Sequence, residues 1–183
     1  MNVLALSGSL RRASYSRGLL RAAQEVAPAG ASVELYDGWA EVPAYNEDLE
    51  STPPRAVEEL RERIASADAL LIATPEYNGS VPGALKNALD WASRPHGESA
   101  LVAKPVAVVS SSPSPFGGAW AGEHLRRALA LSGAVVVEHE LAIGKVDQLF
   151  EDGELADPET RNRLSELLHE LLETAGAELA LAA

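Results

Sequence analysis

The chain has 183 residues, 46% of them hydrophobic and 23% charged, with no cysteine and a net charge of −12. Without cysteines, disulfides, thiolate nucleophiles and cysteine-held zinc or iron–sulfur centres are excluded, so any redox chemistry must come from a borrowed cofactor. The acidic balance excludes a phosphate-rich polymer such as nucleic acid as the main partner, because that binding demands a basic face.

The first strand is expected at Asn2 to Ser7, an apolar run with no basic residue ahead of it and arginines behind, the reverse of a secretory leader. No stretch reaches the length of a membrane span, so the expectation is a cytoplasmic protein with no membrane contact. The strand exits through Ser7-Gly8-Ser9-Leu10-Arg11-Arg12-Ala13-Ser14-Tyr15-Ser16 into a helix read at Ser16 to Ala27. Residues 1–24 hold Arg11, Arg12, Arg17 and Arg21 and no acid, so one end of an acidic chain is locally positive. Such a loop suits a phosphate monoester. Helix-opening N–H groups and hydroxyls donate to its oxygens, Arg11 offers a bidentate fork, and Gly8 lets the backbone approach. Ser9, Arg11, Ser14 and Ser16 are the candidate phosphate ligands, although Ser14 or Ser16 taken singly is equally a helix cap. Neither the P-loop pattern nor Gly-x-Gly-x-x-Gly is present, which disfavours an ATPase or a dinucleotide clamp.

A second strand at Ser32 to Tyr36 leads into a long connection, Asp37 to Pro54, and long connections in compact domains are more often functional than filler. A helix at Pro53 to Ala65 and a strand at Ala69 to Thr74 follow. The exit of that strand, through Pro75, Gly79, Pro82 and Gly83, is stiff and brings backbone close to something. A planar heterocycle held by main-chain groups, with Tyr77 as an aromatic wall, fits it; so does a plain turn at Asn78-Gly79 with Pro82 opening the next helix. In that helix, Pro82 to Ser93, the period of Leu85, Ala88, Leu89 and Ala92 places Trp91 in the core or a subunit interface, whereas Trp39 and Trp120 are freer to reach a ligand or partner.

Then come a strand at Pro105 to Ser110, a helix at Ala119 to Leu131, a strand at Ala134 to Glu138, and a last helix at Pro158 to Ala175. Leu164, Leu167, Leu168, Leu171 and Leu172 form the packing face of that helix, and an alanine-rich tail runs from Ala175 to Ala183. His96, His124, His139 and His169 show no ligand spacing, so no metal site is expected. Continuous apolar strands alternating with helices predict a doubly wound α/β sheet. Its simplest order is 2-1-3-4-5, with a crevice at the carboxyl ends near the first and third strands.

Gly8-Ser9-Leu10-Arg11-x-x-Ser14, together with Pro75-Glu76-Tyr77-Asn78-Gly79-Ser80-Val81-Pro82-Gly83-x-Leu85-Lys86-Asn87-Ala88-Leu89-Asp90-Trp91, resembles the NADPH-dependent FMN reductase family, which includes bacterial quinone, chromate and azo-dye reductases. Supporting similarity at Pro43 to Asp48 and at Gly117-Gly118 extends the likeness over about residues 1 to 140. The resemblance implies one flavodoxin-like FMN-binding domain over residues 1–183, a three-layer α/β/α sandwich with a five-stranded parallel sheet. FMN is then the cofactor and NAD(P)H the co-substrate. Carried over by position, Ser9, Leu10, Arg11, Ser14 and Ser16 hold the FMN phosphate, Tyr15 belongs to the same cofactor-binding loop, and Pro75, Glu76, Tyr77, Asn78 and Gly79 lie along the isoalloxazine. The loop from Ser110 to Gly118 closes the site with Ser111 and Gly117. Many relatives have asparagine where this chain has Ser16, and its Ser112-Pro113-Ser114-Pro115 run differs from theirs.

No catalytic side chain is assigned, since flavin itself carries the electrons. Nicotinamide and a small acceptor such as a quinone, azo compound, chromate or free flavin are expected to stack in turn on one exposed flavin face, which makes the transfer ping-pong, and the resemblance further implies a homodimer or homotetramer. The alternative is a flavodoxin-type electron carrier without NAD(P)H turnover of its own.

Overall fold

The computed structural model describes residues 1–182, so the last residue of the alanine-rich tail lies outside it. β1 (Asn2–Ser7) leads through α1 (Tyr15–Glu25) to β2 (Ser32–Leu35), and α2 (Arg55–Ser66) to β3 (Ala69–Pro75). α3 (Gly83–Ala92) precedes β4 (Pro105–Ser111), and α4 (Ala119–Leu131) precedes the short β5 (Val135–Val136). The strands run parallel in the order β2-β1-β3-β4-β5, as the alternation of elements predicts. This is the flavodoxin-like arrangement. Val3 pairs with Val33 on one side and Ala69 on the other, and Pro75 pairs with Ser111.

Every strand of the sheet's centre is apolar on both faces because helices cover both. Ala5, Leu71 and Val109 pack against Leu19 and Leu20 of α1 and against Leu164, Leu167, Leu168 and Leu171 of α5 (Pro158–Ala182). Leu4, Ile72 and Val108 face Leu60 and Ile64 of α2, Leu85 and Leu89 of α3, and Leu125 and Leu129 of α4. Each such leucine, taken fully out of water, contributes about 1.5–3 kcal/mol, so both layers are needed to hold the sheet. No helix among the described residues is long and apolar enough to cross a membrane.

Two elements depart from expectation. The strand anticipated at Ala134 to Glu138 stops after Val136, and a separate strand, β6 (Leu141–Ile143), resumes pairing along the same edge of β4. The gap has a cause in its hydrogen bonds: the Arg126 guanidinium donates to the carbonyls of Glu138 (3.2 Å) and His139 (3.5 Å), and His139 N–H donates to Glu170 (3.2 Å). Those backbone groups are committed to side chains and leave the ladder. The second departure is a two-stranded hairpin, β7 (Phe150–Glu151) and β8 (Glu154–Leu155). Its Phe150 lies against Tyr15, ring centroids 5.3 Å apart, and over Gly18, where a Cβ would come within 2.3 Å of the ring. The hairpin therefore buttresses the first turn of α1.

Trp91 is fully buried, as its helical position requires, and its ring meets Tyr45 edge-on at 5.0 Å. Trp39, expected to be free, is only 3% exposed, because the short 3-10 turn it occupies (Gly38–Glu41) packs on α2. Trp120 stands out at 67% exposure.

Candidate active site

Because Ser7 pairs with Ala73 and Pro75 with Ser111, β1, β3 and β4 release their chains side by side at the carboxyl edge of the sheet. The three exits enclose a cleft of about 200 Å³. Ser9, Arg11, Ser14, Tyr15 and Ser16 form its first wall; Pro75, Glu76 and Tyr77 form the second; Ser111, Ser112 and Pro113, with Val146 behind them, form the third.

The first wall is a loop tied to itself. Ser9 Oγ accepts from Arg11 N–H at 3.3 Å, Ser7 Oγ donates to the Ser9 carbonyl at 3.2 Å, and Ser14 N–H donates to the Arg11 carbonyl at 3.2 Å. Ser14 is the N-cap of α1, its Oγ accepting from Arg17 N–H at 3.2 Å, so the capping reading holds for this serine. The Ser14 hydroxyl proton is left to donate elsewhere. Ser16 is different: its Oγ is buried, the residue being 1% exposed, and has no hydrogen-bond partner. The first-turn amides of Tyr15 and Ser16 have no acceptor within the helix, and the Arg11 guanidinium enters no ion pair among the described residues. An unfilled donor set therefore converges at the positive end of a helix, where an anion is stabilised.

The second wall is nearly charge-free. Tyr77 and Ser80 exchange backbone hydrogen bonds of 2.9 and 3.1 Å around Asn78 (φ 53°) and Gly79 (φ 73°), a tight primed turn that requires left-handed backbone at both positions. Glu76 supplies the one carboxylate, and it faces away from a catalytic role. Its Oε2 accepts from Ala121 N–H at 3.3 Å, capping α4, whose own N-cap, Gly118, has no side chain to do so.

Residues 1–148 match the family of NADPH-dependent FMN reductases. The chain belongs to that family. It is 43% identical over 174 residues to an NAD(P)H-dependent FMN reductase of Pseudomonas aeruginosa, covering 93% of each chain. It is 41% identical over 162 residues to a quinone reductase of Pseudomonas putida, covering 87% of each. Among solved structures it is similar to the flavoenzyme NAD(P)H:(acceptor) oxidoreductase FerB of Paracoccus denitrificans, with a TM-score of 0.87 and 33% identity over 97% of this chain and 98% of that one. Membership in the NADPH-dependent FMN reductases makes the protein an oxidoreductase that works with FMN and NAD(P)H.

The residues present fit FMN. A phosphate dianion needs several donors at once, and the unpartnered Ser16 hydroxyl, the free Arg11 guanidinium and the first-turn amides of α1 supply them in one place. A neutral tricyclic ring needs walls without competing charge, and Pro75, Tyr77 and Pro113 provide them.

The structure brings Ser9, Arg11, Ser14, Tyr15, Ser16, Pro75, Glu76, Tyr77 and Ser111 of this reductase to one cleft. Leu10, Asn78, Gly79 and Gly117 stand outside its lining. Leu10 is 56% exposed on the far side of the loop, and Asn78 and Gly79 form the turn tip beneath Trp120. At Gly117 the chain passes so close to β6 that a Cβ would sit 2.7 Å from Ile143 N. Sequence reasoning missed Ser112, Pro113 and Val146 as lining residues. Val146 reaches the cleft because its N–H donates to the Ser112 carbonyl at 3.2 Å, a consequence of β6 joining β4 that no local pattern announces.

Proposed function

We propose that this single domain holds FMN with its phosphate in the Ser9 to Ser16 loop and its ring along Pro75 to Tyr77, and that it reduces quinones with electrons from NAD(P)H. The observation that carries the reading is the buried, unpartnered hydroxyl of Ser16 beside the unpaired Arg11 at the opening of α1. When bound, FMN supplies hydride acceptance and two-electron release. The chain's residues then position it: the loop fixes the phosphate, the nearly charge-free second wall accepts a flat ring, and Glu76 is engaged in capping α4, so the protons that reduction of a quinone to a hydroquinone consumes come from solvent at the mouth of the cleft. Tyr77, half exposed, offers aromatic surface at the mouth to a planar acceptor. The name of the Pseudomonas putida relative supports a quinone over an azo compound, chromate or free flavin.

One mouth serving both substrates implies that nicotinamide and quinone occupy it in turn, giving ping-pong kinetics. Initial velocities against NADPH at several quinone concentrations should give parallel lines; intersecting lines would overturn the shared mouth. An anaerobic titration of the FMN-loaded protein with NADH and NADPH should bleach the flavin absorbance, and failure to do so would make the protein an electron carrier instead.

The same reading places the enzyme in the cytoplasm, where NAD(P)H is supplied, as a homodimer or homotetramer. The exposed rings of Tyr77, Phe116 and Trp120 support association, since exposed aromatics of this size favour an interface. Sedimentation at micromolar concentration should show no monomer peak.

A further inference from the structure

Two charged side chains line the cleft, Arg11 in the first wall and Glu76 in the second. A bound phosphate neutralises Arg11. Nothing of opposite charge answers Glu76, which enters no ion pair among the described residues. Its Oε2 takes the Ala121 N–H at 3.3 Å, at the opening of α4.

That bond explains why an acceptor stands here, but not why the acceptor is charged. Gly118, the N-cap of α4, has left-handed backbone (φ 72°), and a Cβ there would come 3.2 Å from the Ser111 carbonyl oxygen and 3.4 Å from Glu76 Cβ. A capping side chain does not fit at position 118, so the cap reaches across from the second wall. The amide oxygen of a glutamine would accept the same N–H. What the carboxylate adds is a full negative charge, half-buried, on the wall that Pro75 and Tyr77 share. The positive end of α4 amounts to about half an elementary charge, so it offsets only part of this. The remainder acts on whatever lies along the wall.

Charge beside a flavin ring tunes its electronics. Two-electron reduction puts negative charge on the ring, and a neighbouring carboxylate disfavours that charged form against the neutral oxidised one. We propose that the Glu76 carboxylate holds the reduction potential of bound FMN low, making the reduced enzyme a stronger donor to its acceptor. The inference rests on the ring lying along Pro75 to Tyr77, and it gives Glu76 a function that its capping bond does not require.

Two substitutions separate charge from shape. Glu76→Gln keeps an acceptor for Ala121 N–H and removes the charge, whereas Glu123→Gln removes a charge from an exposed position of α4 outside the cleft lining. Each FMN-loaded protein is equilibrated anaerobically with a reference dye of known potential, and its affinity for oxidised FMN is measured by fluorescence quenching. Glu76→Gln should favour reduced over oxidised flavin by at least about tenfold, a rise of about 30 mV for a two-electron couple, with oxidised FMN bound within about threefold of wild type. Glu123→Gln should change the same ratio by less than about twofold. A potential that stays or falls in Glu76→Gln, an equal rise in Glu123→Gln, or a loss of oxidised FMN affinity beyond threefold overturns the proposal and leaves Glu76 a helix cap. Arg11→Ala, titrated alongside with FMN and riboflavin, keeps this failure apart from failure of the FMN placement. A loss confined to FMN upholds the placement even where the potential does not move; equal losses remove the placement and the proposal with it.

Discussion

A buried hydroxyl without a partner costs about 1–3 kcal/mol, and the fold accepts that cost at Ser16, at the point where a ligand oxygen would remove it. The sign of its substitution therefore depends on the ligand. Ser16→Ala should leave the melting temperature of the flavin-free protein unchanged or raise it by a few degrees, and should weaken FMN about tenfold. Thermal melts with and without FMN read both effects; a loss of stability in both states would make Ser16 an ordinary packing residue. Arg11 belongs to the same cradle but carries the charge. Arg11→Ala should weaken FMN by about 10- to 100-fold and riboflavin by less than about threefold, because riboflavin lacks the phosphate. Equal losses in a parallel fluorescence titration would place the phosphate elsewhere. Residue types in the loop made a phosphate cradle legible in the sequence. The division of labour between the serines was not, because Ser14 and Ser16 straddle a helix start whose exact position decides which one caps.

The stretch from Leu85 to Trp91 belongs to the family motif but reads in sequence as a packing helix, and its polar side chains tie a distant connection to it. Asn87 Oδ1 accepts from Tyr45 N–H at 2.7 Å, its Nδ2 donates to the Pro43 carbonyl at 2.8 Å, and Trp91 Nε1 donates to the same carbonyl at 2.9 Å. Arg94 adds bonds to Tyr45 Oη (3.0 Å) and Glu50 (2.9 Å). Together they clasp the long Asp37 to Pro54 connection onto α3. Asn87→Ala removes two of these bonds and should cost about 1–3 kcal/mol in chemical denaturation, with FMN affinity little changed; a large affinity loss at unchanged stability would overturn this structural role. This clasp was illegible because it joins residues more than forty positions apart. The parallel strands and their order were legible because continuous apolar runs alternate with amphipathic helices. The edge was not, since pairing by β5 and β6 depends on Arg126 claiming two carbonyls. The hairpin at Phe150 to Leu155 did carry a signal, Asp152-Gly153 between short apolar ends, which the longer periodicities overshadowed. The last helix runs seven residues beyond Ala175 because its alanine-rich tail has high helix propensity.

Over the whole molecule, a net charge of −12 sets carboxylates against one another, and a few of them escape this by being bonded in the fold. Asp37 is held below the usual carboxylate range chiefly by its hydrogen bonds to Arg17, Glu50 chiefly by Tyr45, and Asp157 chiefly by the Thr160 hydroxyl and N–H. A carboxyl with a depressed folded pKa stabilises the fold above its unfolded value, and that contribution is lost as pH falls through the folded value. Stability should therefore fall as the solution is acidified through the lowered pKa values of these three carboxyls. Asp157 gives the clean test, because it accepts from Thr160 N–H at 2.7 Å at the opening of α5, where its charge also meets the helix dipole. Asp157→Asn keeps the cap and removes the charge, so it should cost about 0.3–1 kcal/mol at pH 7. The gap to wild type should close as pH falls through the lowered pKa of Asp157. Urea denaturation at a series of pH values measures that gap directly; a difference that persists undiminished at low pH would assign the effect to shape and not to charge.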